Sequence, residues 1–84
     1  MIGEIEQFTE YLQNVKQMSR NTVLSYRRDL LQMAAYLNER GITDAGRVTK
    51  TSLNSYILFL EKEGKAATTI SRLLASMKAF FYYE

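Results

Sequence analysis

An all-α domain of four helices is the fold class this sequence predicts. Apolar residues recur at steps of three and four along most of the chain, and no stretch alternates strictly as a half-buried strand would. There is no proline, no low-complexity tract and no long linker. Ser19, Gly41, Thr49 and Gly64 stand where helices would start or stop.

The first helix is predicted over about residues 2–15, where Ile5, Phe8, Leu12 and Val15 share a face before "KQMS" breaks the period. The second is predicted over 20–39. Val23, Tyr26, Leu30, Met33 and Leu37 give the stripe of a helix packed on one side. Ser19 suits its N-cap, because a hydroxyl there accepts from the unpaired amides of the first turn. Gly41 can take the left-handed conformation that closes a helix. Residues 42–48, "ITDAGRV", read as a loop. Thr49 then caps a helix over 50–63 with Leu53, Tyr56, Ile57 and Leu60 inward, and Gly64 stops it. The last helix, over 67–83, turns Ile70, Leu73, Leu74, Met77, Phe80 and Phe81 to a broad apolar face. The expected architecture is one small domain, a four-helix bundle with short connections.

Composition narrows the function classes. With 84 residues, 46% hydrophobic and 24% charged, the chain reads as an ordinary globular domain. It holds no cysteine, so no disulfide framework and no thiolate chemistry. No apolar run approaches the ~18 residues that span a bilayer. The start, "MIGEIEQF", is acidic and broken by charge, unlike a signal peptide. The expectation is a protein of a reducing interior, with no membrane partner.

The net charge of +2 is unevenly spread. Residues 1–15 carry Glu4, Glu6 and Glu10 and no base. Residues 16–28 carry Lys16, Arg20, Arg27 and Arg28 and no acid. Residues 64–83 carry Lys65, Arg72 and Lys78, again without an acid. If the fold joins the two basic segments, one face suits phosphate.

At about 100° per residue, the outer side of the second helix presents Asn21, Ser25, Arg28 and Gln32. The outer side of the last helix presents Thr68, Arg72, Ala75 and Ala79, flanked by Lys65, Thr69 and Ser76. Cations neutralise phosphate, hydroxyls and amides bond to phosphate or base edges, and small residues admit close approach. Both faces include a helix start, whose amides and dipole favour anions. A solvated polar face accounts for the same residues, since Ser and Thr at helix starts commonly serve as caps. Arg27 and Asp29 flank the core stripe and are expected to make weak surface ion pairs. Tyr26 and Tyr56 lie on core faces.

Catalysis within these residues is not expected. There is no histidine, the carboxylates are scattered, and the glycines form no phosphate loop. A nucleophilic tyrosine would need a neighbouring base and a cluster of cations. No metal or cofactor is expected either.

The chain resembles the N-terminal core-binding domain of tyrosine recombinases, the phage-integrase and Xer-type family. Ser19, Thr22, Tyr26 and Leu30 match the start of the family's pattern, followed by Leu37 and Gly41, then Val48 and Thr49. Thr69, Ile70, Arg72, Leu74, Met77, Lys78, Phe80, Phe81 and Tyr83 match its last helix. The Ala-rich "KAAT" and "SMKAFF" depart from relatives that carry Ser or Pro before that helix and further basic residues within it.

The resemblance implies a SAM-like four-helix bundle that clamps one side of recombination-site duplex DNA through its second and fourth helices. It implies that a separate C-terminal catalytic domain, with a tyrosine nucleophile and no metal, cuts and rejoins the strands. It makes Asn21, Ser25, Arg28, Lys65, Thr69 and Arg72 the expected DNA contacts, with Arg20, Thr22, Thr68, Ser76 and Lys78 in second rank. Arg72 has the alternative of pairing with an acid across the fold, and Thr22 of serving the helix start. The catalytic domain and neighbouring protomers are the implied protein partners. A bacterial, phage or mobile-element source is implied too, with a cytoplasmic location and an isolated domain that is monomeric. The competing reading is a protein-interaction helical domain, using the acidic first helix or the aromatic C-terminus "AFFYY".

Overall fold

A computed structural model describes residues 1–83. Among these described residues four α-helices are present: α1 (Ile2–Asn14), α2 (Arg20–Glu39), α3 (Lys50–Lys62) and α4 (Ala67–Tyr83). The α2–α3 connection, read as a plain loop, contains a 3₁₀ turn at Ala45–Arg47, where the Asp44 carboxylate accepts from the Gly46 amide. The molecule is a flattened body of 35 × 27 × 17 Å. Its short axis holds two layers of helix of ~10 Å each.

The helix ends follow from local chemistry. Ser19 caps α2: its hydroxyl accepts from the Thr22 amide at 3.3 Å and bonds to the Thr22 hydroxyl at 2.8 Å. Thr49 caps α3 in the same way, through Ser52. At the end of α2, Gly41 sits at φ +80°, its amide donates to the Asn38 carbonyl, and the Ile42 amide donates to the Leu37 carbonyl. At the end of α3, Gly64 repeats this arrangement at φ +80°, with the Lys65 amide donating to the Leu60 carbonyl. Both ends are Schellman motifs, which need a residue at ease with positive φ. The end of α1 has no glycine, and Gln17 takes the left-handed conformation at φ 53°.

α2 is the central element. It gives Val23, Leu30, Met33, Ala34, Tyr36 and Leu37 to a core completed by Ile5, Phe8 and Leu12 of α1, Tyr56 and Leu60 of α3, and Leu73, Met77 and Phe80 of α4. Complete burial of such side chains stabilises by ~1.5–3 kcal/mol each. Two aromatic clusters flank this core. Phe8, Tyr11, Phe80 and Tyr83 join α1 to the end of α4, with Tyr11 and Tyr83 ring centres 4.8 Å apart. Tyr36, Tyr56 and Phe59 join α2 to α3, and the Arg40 guanidinium lies 3.7 Å over the Tyr36 ring.

Three sequence expectations change. Val15, placed on the core face of α1, is exposed beyond the helix end. Tyr26 is half-buried at the core's edge, while Tyr36, not expected there, is buried. Asp29, expected in a surface pair, is only 1% exposed. Arg27 does form a surface pair, with Glu6 at 2.8 Å.

Candidate nucleic-acid interface

α2 and α4 pack against each other, and a polar network fastens them. Arg72 donates from Nε to Oδ2 and from Nη2 to Oδ1 of Asp29, both at 3.1 Å. Ser76, one turn further along α4, shares its hydroxyl proton between Asp29 Oδ2 at 3.3 Å and the Arg72 carbonyl at 3.2 Å. A buried carboxylate needs such partners, because removing an unpaired charge from water is costly. The Arg72 side chain remains 46% exposed. The alternative held open for Arg72, an acid across the fold, is therefore what its inner edge does.

Ser76 must be corrected. It is fully buried and its hydroxyl is spent on Asp29, so it offers nothing to a ligand at the surface. Helical spacing set it on the flank of the outer face. It lies one turn from Arg72 on the side that meets α2, where Asp29 draws it in.

The other expected residues fall into four groups. Asn21 and Arg28 on α2, and Thr68 beside Arg72 on α4, are exposed, while Ser25 and Thr69 are half-buried. Lys65 follows Gly64 in the Schellman turn, so the α3 terminus fixes its backbone. It lines a shallow groove of about 290 Å³ with Gln32 and Tyr36 of α2, on whose rim Glu39 and Glu63 also stand, so the charge there is mixed. Arg20 is exposed at the first turn of α2, and Thr22 is half-buried with its hydroxyl engaged by Ser19. Lys78 does not join this seam. It lines a different groove with Lys50, Leu53, Leu74, Met77 and Tyr82, on the α3 side of α4. Among the described residues, Arg20, Arg28, Lys65 and Lys78 form no ion pair.

Asp29 is the residue that sequence reasoning missed. Its signal was present: it is the single acid that interrupts the basic run of α2, and Arg72 is the single arginine of an acid-free α4.

Burial pushes the Tyr56 hydroxyl up to about 12, and the Asp29 carboxylate adds to the shift, so this tyrosine stays protonated at neutral pH. Among the described residues, no group of three or more His, Cys, Asp or Glu could hold a metal ion. None of their helices is long and apolar enough to cross a membrane.

Comparison with known proteins identifies the arrangement. Residues 5–84 match the family model described as "Phage integrase, N-terminal SAM-like domain". A protein of Caldanaerobacter subterraneus described as a tyrosine recombinase is 43% identical over 83 residues, which cover 99% of this chain and 27% of that protein. Tyrosine recombinase XerC of Herpetosiphon aurantiacus is 35% identical over 83 residues, again 99% of this chain and 27% of the relative. Tyrosine recombinase XerD of Listeria monocytogenes is 32% identical over 80 residues, 94% of this chain and 27% of the relative. The chain thus spans about a quarter of the length of these curated relatives, and most of their length has no counterpart in the 84 residues. No solved structure matches. Four helices without a strand among the described residues, a family match over nearly the whole chain and relatives that are tyrosine recombinases agree: the chain belongs to the N-terminal SAM-like domain family of phage integrases and Xer-type tyrosine recombinases.

Proposed function

We propose that this chain is a non-catalytic DNA-binding domain that clamps one side of recombination-site duplex, with α2 and α4 as the gripping elements. The strand-exchange chemistry then belongs to the rest of the parent protein, through a tyrosine nucleophile. The observation that supports this reading is the Asp29–Arg72 tie, which joins α2 beside Arg28 to the exposed Arg72 of α4. Arg28 is the cation of that surface without an ion pair among the described residues, Lys65 stands at its end in the groove of mixed charge, Asn21, Thr68 and Thr69 are its hydrogen-bonding groups, and Arg20 is an outlying cation at the start of α2. Lys78 has no part in it.

The test is a titration of generic duplex with the 84-residue chain at several salt concentrations. Expected is micromolar or weaker binding that fades steeply with salt, since each neutralised phosphate contributes ~0.9 to the slope. Arg28→Ala should weaken binding and lower the slope by about one such contact. Binding that is absent at low salt, or indifferent to salt, refutes the reading.

A second reading draws on Tyr82, which is 95% exposed beside the apolar groove of Leu53, Leu74, Met77 and Phe81. Of "AFFYY", Phe80 is buried and Tyr83, though 41% exposed, packs one side on Phe8 and Tyr11, so Tyr82 stands furthest clear. That edge suits the catalytic domain or a neighbouring protomer. Tyr82→Ala should then leave duplex binding by the isolated domain unchanged.

A further inference from the structure

Asp29 is the one charged side chain buried among the described residues, and it is not in the interior for packing. Both carboxylate oxygens face Arg72, and Ser76 supplies a third bond. A guanidinium carries five N–H groups in one plane. Nε–H and one Nη2–H point inward to Asp29, so the second Nη2 proton and one Nη1 proton form a free fork at the outer edge, and the other Nη1 proton is free as well. That edge belongs to a side chain 46% exposed at the α2–α4 seam. An arginine free in solvent surrenders its rotamer freedom when it grips a ligand. Arg72 has surrendered it on folding.

We propose that Asp29 is a positioning residue for nucleic-acid binding: with Ser76 it clamps Arg72 so that the outer guanidinium edge is a pre-aimed fork for a DNA phosphate. This rests on the DNA-binding reading above. Asp29 offsets the charge of Arg72, so the pair attracts DNA little at a distance. Its contribution is directional, two parallel N–H groups matched to two phosphate oxygens.

The sign of one substitution separates this role from simple charge. Asp29→Asn removes a negative charge and raises the net charge of +2 by one. If charge alone governs affinity, or if Asp29 only supports the fold, the folded variant binds duplex as tightly as the parent or more tightly. If Asp29 aims Arg72, the variant binds more weakly despite its extra positive charge.

The experiment measures anisotropy of a labelled duplex of arbitrary sequence at low salt, with circular dichroism confirming helix content in the same buffer. Expected is a loss of about threefold to tenfold for Asp29→Asn, in keeping with a weakened charge-assisted bond. Arg72→Lys keeps the charge but not the fork, and should lose about tenfold on the same scale. It decides the matter if Asp29→Asn fails to fold. Parent-like binding by either folded variant overturns the positioning role and leaves the DNA-binding reading standing. Absence of binding by the parent chain overturns both.

Discussion

Removing Arg72 should destabilise this domain more than removing Arg72 and Asp29 together. In Arg72→Ala the Asp29 carboxylate, 1% exposed in the parent, loses both bonds from the guanidinium and keeps only Ser76 as a partner. Breaking a buried pair from one side costs ~3–5 kcal/mol, and the lower end applies because the Arg72 side chain is half in solvent. In Asp29→Ala the guanidinium turns to water and Ser76 keeps its bond to the Arg72 carbonyl, so the loss is about 1.5 kcal/mol. The double variant has neither charge to strand and should also lose about 1.5 kcal/mol, a coupling of about 3 kcal/mol between the two sites. A domain of 84 residues has ~4–13 kcal/mol in all, so the first variant forfeits a large share. Urea titrations followed by circular dichroism would read this directly. With a slope of ~1 kcal/mol per molar urea, the midpoint falls by ~3 M for Arg72→Ala and ~1.5 M for the other two. A double variant that falls below the parent by the sum of the two single losses would refute the account of the network.

Other outcomes follow from the same structure. Tyr56 has an ordinary value of 10.0 when unfolded and about 12 when folded, so its stabilisation is intact below pH 10 and lost as pH rises to 12. At ~1.4 kcal/mol per unit the loss is up to about 3 kcal/mol, and Tyr56→Phe should flatten that limb of the melting temperature against pH. Phe80→Ala, at the fully buried junction with Phe8 and Phe81, should cost ~3–5 kcal/mol in urea unfolding. Gln17→Gly should stabilise by ~0.5–1 kcal/mol, because glycine relieves the left-handed backbone at φ 53°. A melting temperature some 4 °C higher would accord with that, about the smallest rise expected per kcal/mol in a domain this size, and a lower one would count against it.

What the sequence disclosed was local. The stripe of Val23, Leu30, Met33 and Leu37 marks α2, and Ser19 and Gly41 close it, because these signals act within one or two turns. Ser19 and Thr49 cap as their chemistry predicts. What it hid was pairing at a distance. Asp29 meets Arg72 and Ser76 across 43 and 47 residues, and helical periodicity grades a polar residue as outward whether or not a partner waits inside. Tyr36 is buried for the same reason: Tyr56 and Phe59 of α3 cover it. Asn21, Arg28 and Lys65 lie at the surface as their spacing implies, yet Lys78 faces α3, because spacing on one helix does not say which neighbour each flank meets.

α3 is held to the body more lightly than its neighbours. Only Tyr56 and Leu60 of its 13 residues are buried, against seven of the 20 in α2. Its two ends are Gly64 and the connection of residues 42–49. In amide hydrogen exchange, α3 should be the first unit to lose protection, swinging out while α1, α2 and α4 stay closed. The Asp29–Arg72 tie joins α2 to α4, so it outlasts the opening, whereas Lys65, whose backbone the α3 terminus fixes, shifts with it. What the opening bares is the apolar flank of α4 around Leu74 and Met77, a transient hydrophobic face on the α3 side of that helix.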